Sequence, residues 1–559
     1  MAKLWSGWIR VVLAALSGLL AGYAALAVAE LVSAAVRPQA SPVVAVGGAA
    51  IDRTPPAVKD WAIRHFGTND KLVLQLGILA VLALFAMLLG VIALRYRKIG
   101  ALGVLLFGVV GALAATSRPD STGAADALPS VVGTVVAAGL LFWLIGRLRR
   151  PRPTLHAGGT AAEPSGSSAG AVATADDDET AGRPPAADAV GEGWDRRGFV
   201  VAATATAAAS TGAGWLGLSL NGSSGQSAVA SRSKVVLPRP ASPAAAVPKG
   251  AELQIPGISP FFTPNADFYR VDTALVVPKV DATTWRLTIH GKGVSRPRTV
   301  TFDDLIHGRA GELIERDVTL ACVSNEVGGP YVGNARWIGV RLADLLREAG
   351  VVPPSKGGPA DQLVARSVDG MTIGSPVEDV MDGRDAMLAV GMNGQPLPFE
   401  HGFPVRMLVP GLFGYVSACK WIEDIELTTF DAYDSYWVKR SWARRGPIKT
   451  ESRIDTPKPF ARPAQGTVMV AGVAWAQHRG IDRVEVRVDD GPWQPADLAA
   501  QDTTDTWRQW SFPWKATTSG SHTLTVRATD RTGTVQTEKR TPTIPDGASG
   551  WHSVVVIVQ

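Results

Sequence analysis

Cysteine is almost absent: Cys322 and Cys419 are the two in 559 residues. Two thiols cannot build a disulfide framework or a zinc site of paired Cys motifs, so each needs its own explanation. Histidine is also scarce. All eight (His65, His156, His290, His307, His401, His478, His522 and His552) fall outside the interiors of the long apolar runs, which excludes a bis-histidine haem among those runs. Charged residues make up only 19%, with 55 Lys and Arg against 50 Asp and Glu and no long basic stripe, so no nucleic-acid partner is expected. Apolar runs near the bilayer-spanning length of about 20 residues are missing beyond residue 220 or so. The chain therefore divides into a membrane-type front and a globular back.

Five apolar segments stand out in the front, at about 11–36, 72–94, 100–116, 128–146 and 199–220. Lys3 and Arg10 precede the first, Arg95, Arg97 and Lys98 separate the second and third, Arg147, Arg149, Arg150 and Arg152 follow the fourth, and Arg196 and Arg197 precede the fifth. Placing these basic clusters in the cytoplasm gives one topology, with the amino terminus inside and the carboxyl half outside. The opposing loop, 37–71, nevertheless carries Arg37, Arg53, Lys59, Arg64 and Lys71. The expected localisation is the cytoplasmic membrane, multi-pass and in contact with lipid, with the globular part on the extracytoplasmic side.

The expected organisation is an all-α bundle followed by two globular domains. Residues 1–150 form a four-helix transmembrane region. Residues 151–193, rich in Ala, Gly, Ser, Pro and acid, form a disordered cytoplasmic linker. Residues 194–220 are the fifth crossing, and 221–250 are a polar tether. From 251 to 445, strand-like runs such as Thr284–His290 and Val318–Cys322 mix with helical patterns such as Leu342–Ala349, an α+β signature. From 446 to 559, alternating runs separated by tight turns predict an immunoglobulin-like β-sandwich.

Ahead of the fifth segment, Trp194-Asp195-Arg196-Arg197-Gly198-Phe199-Val200 resembles a twin-arginine export signal set inside the chain. The plainer reading is a pair of arginines anchoring a helix end at the cytoplasmic face. An export signal of this type implies a domain that folds around its cofactor before it crosses.

Chemistry concentrates around Cys322. It ends the apolar run from Asp317 and is followed by Val323-Ser324-Asn325-Glu326-Val327-Gly328-Gly329, a loop-forming stretch. A thiolate there suits a soft or high-valent metal, and the bland alternative is a small buried hydrophobe. The run TLACVSNEVGG, with Trp337-Ile338-Gly339-Val340 after it, then MNGQPLPFEHGFPVRMLVPGLFGYVSACKW at 392–421 and PFFTPNADFYRVDT at 260–273, resembles the sulfite oxidase family of molybdopterin oxidoreductases over about 250–559.

The resemblance implies an oxygen-atom-transferring enzyme with one molybdopterin per molybdenum and Cys322 as the protein ligand to the metal. His401 and Arg406 match positions that hold the pterin and its phosphate, and Ser417 and Lys420 match the loop closing over it. Phe262, Thr263 and Asn265 match an amino-terminal cofactor contact, and Asp369 a further one. Tyr269 and Arg270 either line the substrate mouth in a catalytic role or pair structurally with Asp272. Taken alone, Arg406 could be a solvent-facing strand residue and His401 a turn cap. Cys419 is expected in the core, because a second thiolate ligand departs from the family pattern. The carboxyl-terminal sandwich resembles the family's dimerisation domain, which implies a homodimer. Electrons are expected to pass to or from a separate carrier, a cytochrome or a quinone.

Two departures bear on substrate. Members that oxidise sulfite carry a Cys-x-Gly-Asn-Arg run, where this chain has Cys-Val-Ser-Asn-Glu, and Glu326 is expected to weaken dianion binding by like-charge repulsion. The run DSYWVKRSWARRGP lacks the tyrosine expected after its Tyr-Trp pair and has Trp442 and Arg444 instead. A neutral oxo compound such as a sulfoxide is then an alternative to sulfite. The rival from another class is a cofactor-less membrane-bound binding or assembly protein on the same fold.

Overall fold

The computed structural model describes residues 2–55, 58, 61, 62, 65, 66, 70–149 and 196–559. The segment expected to be a linker, 151–193, lies outside the described residues, as does Trp194. The chain separates into two units: 1–43 with 76–113 and 127–218, and 44–75 with 114–126 and 219–559.

Among the described residues, five helices are long and apolar enough to cross a membrane: Gly7–Val36, Lys71–Arg95, Arg97–Thr116, Ala124–Arg149 and Arg197–Lys234. In the first unit these helices meet through glycine. A Cβ on Gly18 would lie 1.9 Å from the Ala86 carbonyl oxygen, one on Gly90 2.1 Å from that of Ala14, and one on Gly133 2.4 Å from that of Ala25. Backbone-to-backbone approach of this kind gains dispersion contact where lipid removes the hydrophobic drive between helices. Leu84, Leu102, Leu106 and Leu113 face outward and are exposed.

The second unit begins its globular fold with two sheets. One orders its strands as Arg298–Thr301, Arg286–Gly291, Ile422–Thr428, Gln362–Ser367 and Thr372–Pro376. The other runs Leu313–Ala321, Val332–Arg341, Met387–Met392 and Gln395–Pro396, with Arg406–Leu408 also paired to Met387–Met392. Short helices such as Leu342–Glu348 complete the α+β pattern, close to the boundaries expected from sequence. One core, including Leu287, Trp337, Leu363, Leu388 and Phe403, runs through both sheets.

The sandwich follows as two four-stranded sheets. Glu451–Thr456, Gly466–Trp475, Arg508–Ala516 and Asp497–Leu498 form one, and Gln494–Pro495, Ile481–Val488, Gly520–Asp530 and His552–Val558 the other. Val470, Val484, Trp510, Leu524 and Val556 fill the space between them. Hydrogen bonds cross the seam to the mixed domain beside buried Val473, Trp475 and Trp507. Thr319 N–H donates to the Asp505 carbonyl at 2.9 Å. Trp507 N–H donates to the Thr319 hydroxyl at 2.7 Å and Gln477 Nε2 to the Thr319 carbonyl at 2.8 Å. The sandwich thus covers the open edge of the strand Leu313–Ala321, which would otherwise expose unpaired backbone groups.

One expectation needs correcting. The stretch 221–250 is not a loose tether: the last long helix continues to Lys234, through its Gly- and Ser-rich end. Ala228 and Ser231 are buried. The Ser231 hydroxyl accepts from Ala282 N–H at 3.1 Å, and the Arg232 guanidinium donates to the carbonyls of Leu397 and Pro396 at 2.7 and 2.8 Å. Beyond Lys234 the extended chain pairs with a strand end, Ala241 N–H donating to the Leu313 carbonyl and Glu315 N–H to that of Ser242. Tertiary contacts override the low helix propensity of Gly and Ser.

Candidate active site

The strand Leu313–Ala321 delivers Cys322 to a turn that its own backbone closes. Cys322 N–H donates to the Tyr331 carbonyl at 2.9 Å, and Asn325 N–H to the Cys322 carbonyl at 3.0 Å. The Asn325 side-chain oxygen accepts from Tyr331 N–H at 2.8 Å. A Cβ on Gly329 would lie 2.6 Å from that oxygen, so the turn requires glycine there. Cys322 is buried and opens onto a cavity shared with Tyr269, Asp369, His401, Arg406 and Lys420.

Three of these come from 401–420. His401 ends a short helical turn, Arg406 begins the strand Arg406–Leu408, and Lys420 follows the helix Gly414–Ser417. Gly402, at φ 110°, lets them converge, since a Cβ there would sit 3.1 Å from both Arg406 Cβ and Lys420 Cα. His401 Nε2–H donates to the Asn265 carbonyl at 2.9 Å. Burial, and then the Arg406 charge, pushes the imidazole down to about 4, so it is neutral at pH 7.

Arg406 is the least satisfied of the three. It is 6% exposed, donates from one terminal nitrogen to the His401 carbonyl at 3.3 Å, stands 5.0 Å over the Trp337 ring, and leaves Nε without a partner. No ion pair involves it among the described residues. Burial pulls its pKa down to about 10, which leaves it charged. A buried guanidinium with an unmatched donor fits a phosphate-bearing group, for which the guanidinium fork is suited.

Lys420 Nζ pairs with Asp272 at 2.8 Å and donates to the Glu400 carbonyl at 3.3 Å. Burial drives its pKa down to about 8 against the pull of Asp272. Burial likewise opposes the charge on Asp272, but Lys420, Lys71 and Arg270 outweigh it and hold the carboxyl far below the usual range. Tyr269 stacks on Phe268 at 5.3 Å, and burial, then the Cys322 side chain, pushes its phenol well above its ordinary value, so the hydroxyl stays protonated. Burial also raises Asp369, which accepts from Thr273 Oγ1 at 3.3 Å.

Phe262, Thr263, Asn265, Arg270 and Ser417, also named from the sequence, are not among the residues that line the cavity. Phe262 lies under the Arg336 guanidinium, and Thr263 N–H donates to the Asn334 carbonyl at 2.8 Å. The Asn265 side-chain oxygen accepts from Asn393 at 2.8 Å, and the Ser417 hydroxyl donates to the Leu412 and Phe413 carbonyls, both at 3.0 Å. Arg270 pairs with Asp272 at 2.8 Å, the structural alternative left open by the sequence, whereas Tyr269 lines the cavity. Cys419 is fully buried, off the cavity, with its thiol pushed up by burial, in line with the core reading.

Glu326 departs from expectation. It is exposed and does not line the cavity, so it brings no carboxylate to the wall beside Cys322. Sequence reasoning missed Asp272 as the shared counter-ion, and also Met371, Tyr415 and Trp437, which line the cavity together with Trp442. The signal for Trp437 was its place in the departing run DSYWVKRSW.

Residues 274–437 match the family model described as oxidoreductase molybdopterin binding domain, and 451–526 match a bacterial Ig domain. The mouse mitochondrial sulfite oxidase (Mus musculus) is 30% identical over 293 residues, 45% of this chain and 53% of that one. Nitrate reductase [NADH] 1 of Oryza sativa subsp. japonica is 34% identical over 201 residues, 32% of this chain and 21% of that one. The crystal structure of the sulfane dehydrogenase SoxCD from Paracoccus pantotrophus aligns over 54% of this chain and 84% of that chain, at 25% identity and a TM-score of 0.45. The chain spans about half the length of the sulfite oxidases it matches. Its globular region thus carries an oxidoreductase molybdopterin binding domain and is similar to the mitochondrial sulfite oxidases.

Proposed function

We propose that this chain is a membrane-anchored oxidoreductase performing two-electron oxygen-atom transfer at a molybdenum ligated by Cys322. The observation that carries the reading is the cavity in which Cys322 meets Arg406, a buried cation with an unmatched Nε. When bound, the molybdopterin group supplies oxygen-atom transfer, the metal cycling between +6 and +4. Cys322 Sγ is the thiolate ligand. Arg406 and Lys420 take the anionic end of the pterin group, and neutral His401 fixes the loop beside it. The Tyr269 hydroxyl, protonated at pH 7, donates a hydrogen bond to a substrate oxygen. Phe262, Thr263, Asn265 and Ser417 serve through the backbone they brace, and Asp369 through the turn it caps.

The substrate side favours a neutral molecule. Met371, Tyr415, Trp437 and Trp442 line it, and Arg406 and Lys420 are the two cations among the described lining residues. With both engaged by the cofactor, no cation is left for a dianion such as sulfite, and a sulfoxide-type compound fits better. Electrons pass to or from a separate carrier, a cytochrome or a quinone, and the sandwich is the surface for a homodimer.

The twin arginines serve export, with the globular part on the outer face. Support for that topology comes from the second unit, where 44–75 and 114–126, the connections that charge bias puts outside, group with 219–559.

Metal and pterin analysis of the full-length chain, wild type beside Cys322→Ser, tests the reading in a host that makes molybdopterin. About one molybdenum per chain in wild type, with an altered or absent metal signal in the variant, is expected. A folded wild-type chain with neither molybdenum nor pterin sinks the enzyme reading and promotes the cofactor-less binding protein.

A further inference from the structure

The basic residues of 37–71 run against the charge bias that orients the front of the chain, and the function proposed above gives them no work. Lys71 is the most informative. It stands in the first turn of the helix Asp70–Arg95, where the helix dipole disfavours a cation. Its ammonium pairs with Asp272 and donates to the Ala274 carbonyl at 2.6 Å. Asp272 is 2% exposed, lines the cavity, and also pairs with Lys420 and Arg270, each at 2.8 Å. Three cations thus share one carboxylate, and the cluster is net positive.

Two further contacts fall beside cavity residues. Gly370, next to Asp369, has φ 77°, and a Cβ there would lie 2.2 Å from Asp120 N, so the segment 114–126 presses directly on that turn. The Tyr436 hydroxyl, next to Trp437, donates to the Asp52 carboxylate at 2.6 Å, and Arg440 donates to the Asp52 carbonyl at 2.9 Å. Lys71, Asp120 and Asp52, on the connections 44–75 and 114–126, therefore meet one lining residue, Asp272, and two residues adjacent in sequence to lining residues, Gly370 and Tyr436.

We propose that these connections are a built part of the cofactor site, and that Lys71 is a positioning residue: by sharing Asp272 it loosens the hold of that carboxylate on Lys420 and leaves Lys420 available to an anionic group. Without Lys71, Asp272 is divided between two cations instead of three, and Lys420 is held to it more tightly. The front of the chain then contributes to cofactor retention as well as to anchoring. This inference rests on the reading that the cavity holds molybdopterin.

The test uses the full chain in lipid nanodiscs. Molybdenum per chain, the rate of pterin release into cofactor-free buffer, and the electron paramagnetic resonance spectrum of the half-reduced metal are compared for wild type, Lys71→Met and Lys71→Arg, with circular dichroism reporting the fold. Lys71→Met should release pterin at least about fivefold faster with an unchanged dichroism spectrum and a shifted resonance, and Lys71→Arg should return all three readouts toward wild type. Should Lys71→Met fail to fold, Lys71→Gln, which keeps a donor for the Ala274 carbonyl, takes its place. Release within twofold of wild type, or no rescue by arginine, overturns the role of Lys71 while leaving the enzyme reading intact. A wild-type chain without molybdenum overturns both.

Discussion

The cavity at Cys322 and the seam beneath the sandwich each bury an arginine, and the two are treated in opposite ways. Arg453, 9% exposed, donates to Asp455 at 2.7 Å, to the Gly329 carbonyl at 2.8 Å and to the Ser259 hydroxyl at 2.9 Å. Arg406, 6% exposed, has one long hydrogen bond and an unmatched Nε. A buried charge that only holds a fold together is saturated, because each unmet donor costs free energy. Arg487 also has an unmatched Nε, but Arg406 combines one with burial and a place in a cavity wall, where an anionic ligand would meet it. The sharpest way to break this comparison is to remove each arginine in turn. Arg406→Met should abolish pterin retention, while the cofactor-free chain melts no lower than wild type. Arg453→Met should leave the pterin site chemically intact but destabilise the fold by about 3–5 kcal/mol, because Asp455 loses its buried partner. Pterin content and thermal melts of both variants decide it. A cofactor-free Arg406→Met chain that unfolds as readily as Arg453→Met would erase the distinction.

The same seam offers a titration of its own. His552 lies against Gly328, and its Nδ1 accepts from Ile454 N–H at 3.0 Å, which requires a neutral ring. Burial, then Arg453, lowers its pKa to about 4 from the ordinary value of 6.5. The unfolded chain therefore binds a proton more readily than the folded one. The stability held by the neutral ring is fully present above pH 6.5 and is lost as pH falls toward 4, by about 3 kcal/mol. Unfolding midpoints of wild type and His552→Gln across pH 4–7 measure it, and the variant should show the flatter profile. Parallel profiles would remove His552 as the cause.

Much of this architecture was legible in the sequence because its signals are local. Apolar runs near the bilayer length mark the long helices, and alternation with tight turns marks sandwich strands such as Ile481–Val488. Cys322, His401, Arg406 and Lys420, which line one cavity, were singled out because the motifs that carry the family resemblance lie in short contiguous runs. What the sequence hid depends on distance along the chain. Lys71 meets a carboxylate 201 residues away, and no local pattern announces the pair. The helix through 221–234 reads as a tether because its reasons to be helical are Ala282, Pro396 and Leu397. Thr263, Asn265 and Ser417 were expected to contact the cofactor and are not among the lining residues, because residue type alone does not tell a side chain facing a cavity from one bracing backbone.

Bracing of that second kind predicts the smallest effect, at the point where seam and cavity share a strand. Thr319 lies three residues before Cys322, and its hydroxyl donates to the Asn334 side-chain oxygen at 3.0 Å while accepting from Trp507 N–H at 2.7 Å. Thr319→Val keeps the side-chain shape and leaves one buried donor and one buried acceptor unmet, so it should cost about 1–3 kcal/mol of stability. Pterin retention should change by less than about twofold, because the backbone bonds that hold the strand, Thr319 N–H to the Asp505 carbonyl and Gln477 to the Thr319 carbonyl, survive the substitution. A large loss of pterin from Thr319→Val would mean that the sandwich tunes the metal ligand through this strand, and that seam and cavity are one device instead of two.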